Sequence, residues 1–230
     1  MARLQLSDAD WQRVEDLFAR RNRRRGGRPA APPRTMLNAI LWVLRVRRRH
    51  HRSGRALCFR RRKKGDPNEP TDHALGRCRG GLTTKVHILC DSEGHPLHVH
   101  LSPGQAHESS SFADLLDGAD ARLFDAEGTP MAWPAALAGD KAYRAEWIDA
   151  FLLDLGMVPV IPSKENENRD ARPVAFDKQA YRGRNIVERL IGWLKENRRV
   201  FSRFEKTAKN FAAMIKMAFI RRYLGLGLPS

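Results

Sequence analysis

The stretch Leu82-Thr-Thr-Lys-Val-His-Ile-Leu-Cys-Asp-Ser-Glu-Gly-His-Pro-Leu-His-Val-His-Leu101 decides the class of fold. Leu82, Thr84, Val86, Ile88 and Cys90 take alternate positions, the period of a strand with one buried face. Asp91 to Pro96 is rich in turn formers, and Leu97 to Leu101 alternates again, so an antiparallel hairpin is predicted. Beyond the hairpin the period changes. Ser109 to Leu116 reads as a short helix, Ala135 to Ala138 as a brief strand ending at Gly139-Asp140, and residues 144–155 as a helix. Val158 to Ile161 is β-rich, and residues 163–175 are polar and irregular. Tyr181 to Val200 reads as one long helix. Thr207 to Tyr223 reads as another, with Phe211, Met214, Ile215, Ala218 and Phe219 as its packing face. Strands interleaved with helices predict a mixed α/β domain.

Toward the N-terminus, Ser7 with Asp10 three residues on forms a weak capping box before an apolar stripe of Trp11, Val14, Leu17 and Phe18, predicting a helix over residues 6–20. Arg20 to Arg34 is basic and carries Gly26, Gly27, Pro29, Pro32 and Pro33, the composition of a turn or arm. A second helix follows, with Met36, Leu37, Ile40, Leu41, Val43 and Leu44 on its buried side. Two short helices joined by a basic arm fit a DNA-binding head and fit equally a hairpin that packs on the main domain. From Arg45 to Lys64 neither period is sustained, and the Arg-rich tract predicts a cationic linker. The division expected is therefore 1–45, a helical N-terminal region; 46–64, a basic linker; and 65–230, the main domain.

The 230 residues include 42 Lys and Arg against 26 Asp and Glu, a formal net charge of +16. Such a surplus favours a polyanionic partner, because each cation that meets a phosphate releases condensed counterions. Charge alone leaves a ribosome-like structural protein open. Cys58, Cys78 and Cys90 are odd in number and widely spaced, which suits a reducing compartment and argues against a disulfide framework. His50, His51 and Cys58 lack the ligand spacing of a zinc finger. No stretch approaches the ~18–20 apolar residues of a membrane span, and the N-terminus lacks the apolar core of a signal peptide. A soluble, intracellular protein is expected.

On the long helix predicted from Tyr181, the side chains of Tyr181, Arg184, Glu188 and Lys195 share an arc of about 60° at about 100° per residue. Ile186, Val187, Leu190, Ile191, Trp193 and Leu194 occupy the other side. An acid flanked by two cations and a phenol could simply be a solvated face with i,i+4 pairing.

The spacing Tyr-x2-Arg-x3-Glu-x6-Lys over Tyr181, Arg184, Glu188 and Lys195 resembles the signature of the IS4- and IS5-related DDE transposases of insertion sequences. Four more motifs resemble the same family in the same order: Gly80-Gly-Leu-Thr-Thr-Lys-Val-His87, Pro103-Gly-Gln-Ala-His-Glu108, Gly139-Asp-Lys-Ala-Tyr143 and Lys206-Thr-Ala-Lys-Asn-Phe211. Leu37 to Arg45 is similar to the second helix of the family's N-terminal domain, and the likeness covers roughly residues 1–45 and 62–225. It implies a ribonuclease-H-like fold, with a mixed sheet flanked by helices. It also implies a site in which two aspartates and a glutamate hold two divalent ions, Mg²⁺ or Mn²⁺, with Asp140 and Glu188 as metal-binding catalytic acids. Such ions, ~3.5–4 Å apart, activate a nucleophile and stabilise a leaving oxygen. The reaction implied is nicking at the element ends followed by strand transfer into target DNA. By the same resemblance Tyr181, Arg184, Lys195 and Lys141 would contact DNA, and His107 would lie near the site. The partners implied are terminal-repeat and target DNA and further copies of the chain assembled on DNA, in a bacterial cytoplasm at the nucleoid.

The resemblance breaks at one place. The family's first aspartate ends an apolar opening strand, and nothing between Arg45 and Gly80 reads that way. The acids there are Asp66, Glu69 and Asp72, all in the Pro-rich run Gly65-Asp-Pro-Asn-Glu-Pro-Thr-Asp72. An internal deletion is the simplest account. The resulting expectation is a domain short of its opening strand and an enzyme impaired in catalysis, or else a remnant that only binds DNA. Asp66 or Asp72 swinging in as a third ligand is the alternative to that loss.

Overall fold

The computed structural model describes residues 6–18, 32–45, 73–78, 81–125, 127–168 and 171–225. Most of the basic arm, the whole of the linker 46–64, Cys58, Asp66, Glu69 and Asp72 lie outside the described residues.

The expected hairpin is present: β2 (Gly81–Cys90) runs antiparallel to β3 (Pro96–Pro103), pairing Val86 with Leu101 and Ile88 with Val99. Its turn closes on Asp91, whose side chain accepts from the backbone N–H groups of Glu93 and His95. Gly94 takes a positive φ there, and a Cβ at that position would stand 2.8 Å from Ile186, so glycine satisfies both the turn and the close packing. A short β1 (Gly76–Cys78) pairs with the start of β2. Farther along, β4 (Ala136–Ala138) and β5 (Val158–Val160) lie parallel, joined by the crossover helix α4 (Glu146–Asp154). The strands thus form two small sheets, three-stranded and two-stranded. Among the described residues no strand joins them into the one mixed sheet that the family resemblance implies.

Alternation along β2 and β3 sends side chains to two cores. One face, with Val86, Ile88, Val99 and Leu101, packs with α8 (Ala208–Tyr223), α1 (Asp8–Gln12) and α2 (Pro33–Arg45), and that core includes Leu37, Leu41, Phe211, Ile215 and Ala218. The other face sends Leu89 against a second core built on α3 (Phe112–Asp120), α4 and the small sheet, with Leu116, Leu137, Ile148, Leu152 and Ile161. The N-terminal helices therefore pack on the main domain.

Two of the expected helices are broken into shorter pieces. The first runs only from Asp8 to Gln12, capped by Ser7 as expected, and a separate 3-10 turn spans Glu15–Phe18. Trp11 and Phe18 still stack across the break, while Leu17, expected on the stripe, is exposed. The long helix expected from Tyr181 is three: α5 (Lys178–Arg182), α6 (Asn185–Lys195) and α7 (Arg198–Phe201). The first break is a tightened turn at Gly183, where N–H groups bond three residues back instead of four. The second falls at Asn197, whose buried amide donates to the Trp193 and Leu194 carbonyls and whose Oδ1 accepts from Arg221 at 2.8 Å. One side chain satisfies the end of α6 and ties it to α8. The polar loop after β5 is held by buried charges: Arg172 and Arg144 both meet Asp149, and Arg144 also meets Glu167.

If both faces of the hairpin carry the fold, truncation on either side should cost similarly. Leu41→Ala and Ile148→Ala should each lower unfolding free energy by about 2–5 kcal/mol in urea titrations. A loss under about 1 kcal/mol for Leu41→Ala would mean that α2 does not share the main core.

Candidate functional site

Asp140 follows β4 directly and precedes a 3-10 turn, Lys141–Tyr143. Its backbone carbonyl accepts from Tyr143 N–H, but its carboxylate caps nothing, so those oxygens remain available. Glu188 lies in the first turn of α6. Folding brings the two acids, far apart in sequence, to a single guanidinium. Arg184 Nη2 donates to Glu188 Oε1 at 2.7 Å, and Arg184 Nη1 stands 3.7 Å from Asp140 Oδ2. The same guanidinium lies over the Tyr181 ring, 5.2 Å from its centroid, and that ring meets Phe176 edge-on. Arg184 is the half-buried member; the Asp140 and Glu188 side chains are 57% and 61% exposed. Ion pairs that open to solvent contribute about 0.2–1 kcal/mol, so drawing Arg184 away from its carboxylates costs little in lost pairing.

The other expected site residues scatter around this group. Lys141 is paired with Glu165 at 3.2 Å. Lys195 is exposed at the C-terminal end of α6, two turns or about 10 Å along the axis from Glu188. His107 instead caps the 3-10 turn Glu108–Ser111, its ring accepting from Ser109 N–H.

Beside Asp140 lies a second group that sequence reasoning did not single out. Tyr143 bonds His87 Nδ1, and His87 Nε2 meets Ser102 Oγ at 2.7 Å. Next to them Lys85 Nζ stands 2.5 Å from Glu108 and donates to the Ala106 carbonyl. Burial, helped by nearby His100 and Lys85, lowers the His87 pKa to about 4. Burial, with the charges of Glu108 and Asp140, pushes the Tyr143 phenol above its usual range. Glu108 stays below the usual carboxylate range: burial works against it, and the Lys85 hydrogen bond and charge outweigh burial. The result is a neutral chain, Tyr143–His87–Ser102, that anchors the turn after Asp140 to the hairpin. The signal was present, since Lys85, His87, Glu108 and Tyr143 lie inside three of the five motifs quoted above, but only folding shows that they touch.

A two-ion site needs more oxygen ligands than this arrangement offers. Among the described residues no group of three His, Cys, Asp or Glu side chains is placed to hold a metal ion. The two carboxylates present share a guanidinium, so the described residues do not fit the implied pair of ions.

Comparison with known proteins agrees with the motifs. A family model described as "Transposase DDE domain" matches residues 59–221, and one described as "Putative transposase of IS4/5 family" matches residues 6–52. Two curated relatives carry the name "Putative transposase for insertion sequence element". That of IS402, from Burkholderia cepacia, is 31% identical over 68% of this chain and 66% of its own length. That of IS6501, from Brucella ovis, is 27% identical over 60% of this chain and 95% of its own length. The chain thus spans just under two thirds of the first relative. No solved structure matches.

The neutral His87 makes a pH prediction. Its folded pKa, about 4, lies below the ordinary 6.5. Protonation therefore favours the unfolded chain, and stability present above about pH 6.5 should decline as pH falls toward about 4. The loss should be on the order of 1–3 kcal/mol. Urea midpoints across that range should fall more steeply for the wild type than for His87→Asn; parallel slopes would remove His87 from the account.

Proposed function

This chain belongs to the transposase DDE domain family, the transposases of insertion sequences, and on that premise we propose that it binds the DNA of such an element while its strand-transfer chemistry is impaired. The observation that carries this reading is the convergence of Asp140 and Glu188 on Arg184, with Tyr181 against the same guanidinium. The guanidinium, with Lys141 and Lys195 in the surroundings, suits a phosphodiester backbone, and the two carboxylates meet one only through cations held between them.

In this reading the fold is a ribonuclease-H-like domain short of its opening strand, preceded by a truncated helical region, 1–45, and a basic linker, 46–64. The two separate sheets support it: a missing central strand would leave such a division. Asp140 and Glu188 are the surviving members of a triad of acids. Members of the family work with divalent metal ions, but two carboxylates already engaged by Arg184 supply too few ligands for two of them. Arg184, once turned from its carboxylates, meets a phosphate. Lys195 and Lys141 add further phosphate contacts, and Tyr181 packs against the sugar-phosphate backbone or a displaced base. Copies of the chain assemble on the element's terminal repeats and on target DNA, at the nucleoid. The charge of +16 supports binding without chemistry, since it survives where the triad does not.

The test is a strand-transfer assay with cognate element ends, run beside filter binding of the same duplex. Binding that weakens steeply with salt, with no metal-dependent joining, is expected. Lys195→Ala should weaken duplex binding and reduce the salt slope by about one. Robust joining that Asp140→Ala abolishes would overturn the impairment. Metal titration of Asp66→Asn and Asp72→Asn addresses replacement of the third acid: unchanged affinity in both variants excludes it.

A further inference from the structure

The turn after α7 has properties that the Asp140–Glu188 site does not use. Phe201 and Phe204 are 55% and 44% exposed, at the end of a one-turn helix and in the turn that follows. Two phenylalanines three residues apart that stay wet keep apolar surface in water, which is unfavourable unless something covers them. Here the covering is partial and cationic: the guanidinia of Arg198 and Arg199 each lie 5.5 Å from the centroid of the Phe204 ring. Cations also outnumber acids between Lys195 and Lys209, and Glu205, one of the two acids there, pairs with Arg199 at 3.5 Å.

The turn is also held open under strain. Arg203, between the two rings, has a φ of 31°, a left-handed conformation that side chains other than glycine rarely adopt. Its guanidinium keeps it there by donating to the His73 carbonyl at 2.5 Å, to the Glu205 carbonyl at 3.2 Å and to Thr84. A buried arginine thus fixes the backbone between Phe201 and Phe204, both of which stand at the surface. Strain kept in place by so many bonds marks a shape that is used.

Planar apolar rings, a layer of guanidinia and an excess of positive charge together match one partner chemistry. Bases that have left a duplex expose flat π faces that stack on aromatic rings and on guanidinium planes, while their phosphates pair with nearby cations. We propose that Phe201, Phe204, Arg198 and Arg199 form a platform for unpaired bases of a DNA strand, distinct from the duplex contacts of Arg184 and Lys195. This rests on the DNA-binding reading above, and it adds that the chain distinguishes unpaired from paired DNA.

Fluorescence anisotropy of the full chain against a labelled oligothymidylate and a duplex of equal length tests it, with Phe201→Leu and Phe204→Leu compared with Lys195→Ala. The two Leu variants keep apolar bulk and lose the π face. Each should weaken single-strand binding about tenfold or more and leave duplex binding within about twofold, whereas Lys195→Ala should weaken duplex binding. Equal loss on both DNAs, or no loss on either, overturns the platform, while the DNA-binding reading stands as long as the wild type binds duplex. Lower melting temperatures for the Leu variants with unchanged binding assign the rings to packing and overturn it too. Failure of the wild type to bind either DNA overturns the functional reading instead.

Discussion

The hairpin Gly81–Pro103 is buried on both faces, and the rest of the described structure is arranged around that constraint. A strand's side chains alternate sides, so a hairpin with apolar residues at both sets of positions can seat one layer on each. Val86, Ile88, Val99 and Leu101 take the helices of the two chain ends; Leu89 takes α3 and the β4–β5 unit. His87 lies on the second face, buried beside Tyr143, His100 and Lys85, where desolvation makes an imidazolium costly. Its two nitrogens are satisfied by Tyr143 and Ser102 instead. The bond to Tyr143 is what couples the hairpin to the turn bearing Asp140. Placement of the acid thus depends on a neutral histidine in a strand roughly fifty residues earlier.

That dependence explains why the acids converge although, among the described residues, β4 pairs with no strand but the short β5. Two short parallel strands hold a turn poorly by themselves. The Tyr143–His87 bond fixes the turn from one side, and the buried Arg144–Asp149–Arg172 cluster fixes it from the other. Breaking a buried ion cluster at one member leaves an uncompensated charge, a larger penalty than losing an exposed pair. The weak contacts are then those made by Arg184 to Asp140 and Glu188, the groups most open to solvent. Rigid support beneath and exchangeable pairing above is the arrangement a phosphate-binding surface requires.

Much of this was legible in the sequence because it is local. The hairpin, β4, β5, α4, α8 and the Ser7 cap all follow from short periodic patterns and known cap chemistry. The pairing of Arg184 with Glu188 is likewise an i,i+4 contact. What was not legible is of two kinds. Helix breaks at Gly183 and Asn197 leave the apolar period intact on either side, so periodicity runs straight through them; the Asn197 break is made by a contact to Arg221 on another helix. The His87–Tyr143–Ser102 chain and the Arg144 cluster join positions that no local spacing relates. Motif order hinted that these residues belong together without saying which atoms meet.

The break at Gly183 also bears on what the site can do. In a continuous helix Tyr181 and Glu188 share a face; a tightened turn advances the backbone at about 120° per residue instead of about 100° and swings Tyr181 around the axis. Arg184 sits at the junction, capping the start of α6 while its guanidinium reaches the Tyr181 ring, Glu188 and Asp140. A residue with three partners on three segments responds to any of them: a phosphate that draws the guanidinium away would release two carboxylates and a phenol ring together. With a third acid such release would complete a cation site. With two, the freed carboxylates repel the next phosphate, and the cost of that repulsion falls on the bound state. In the proposed DNA-binding reading, such binding is favoured where Lys195 and Lys141 offset the two acids, which would tie its strength to cations placed outside the Asp140–Glu188 pair.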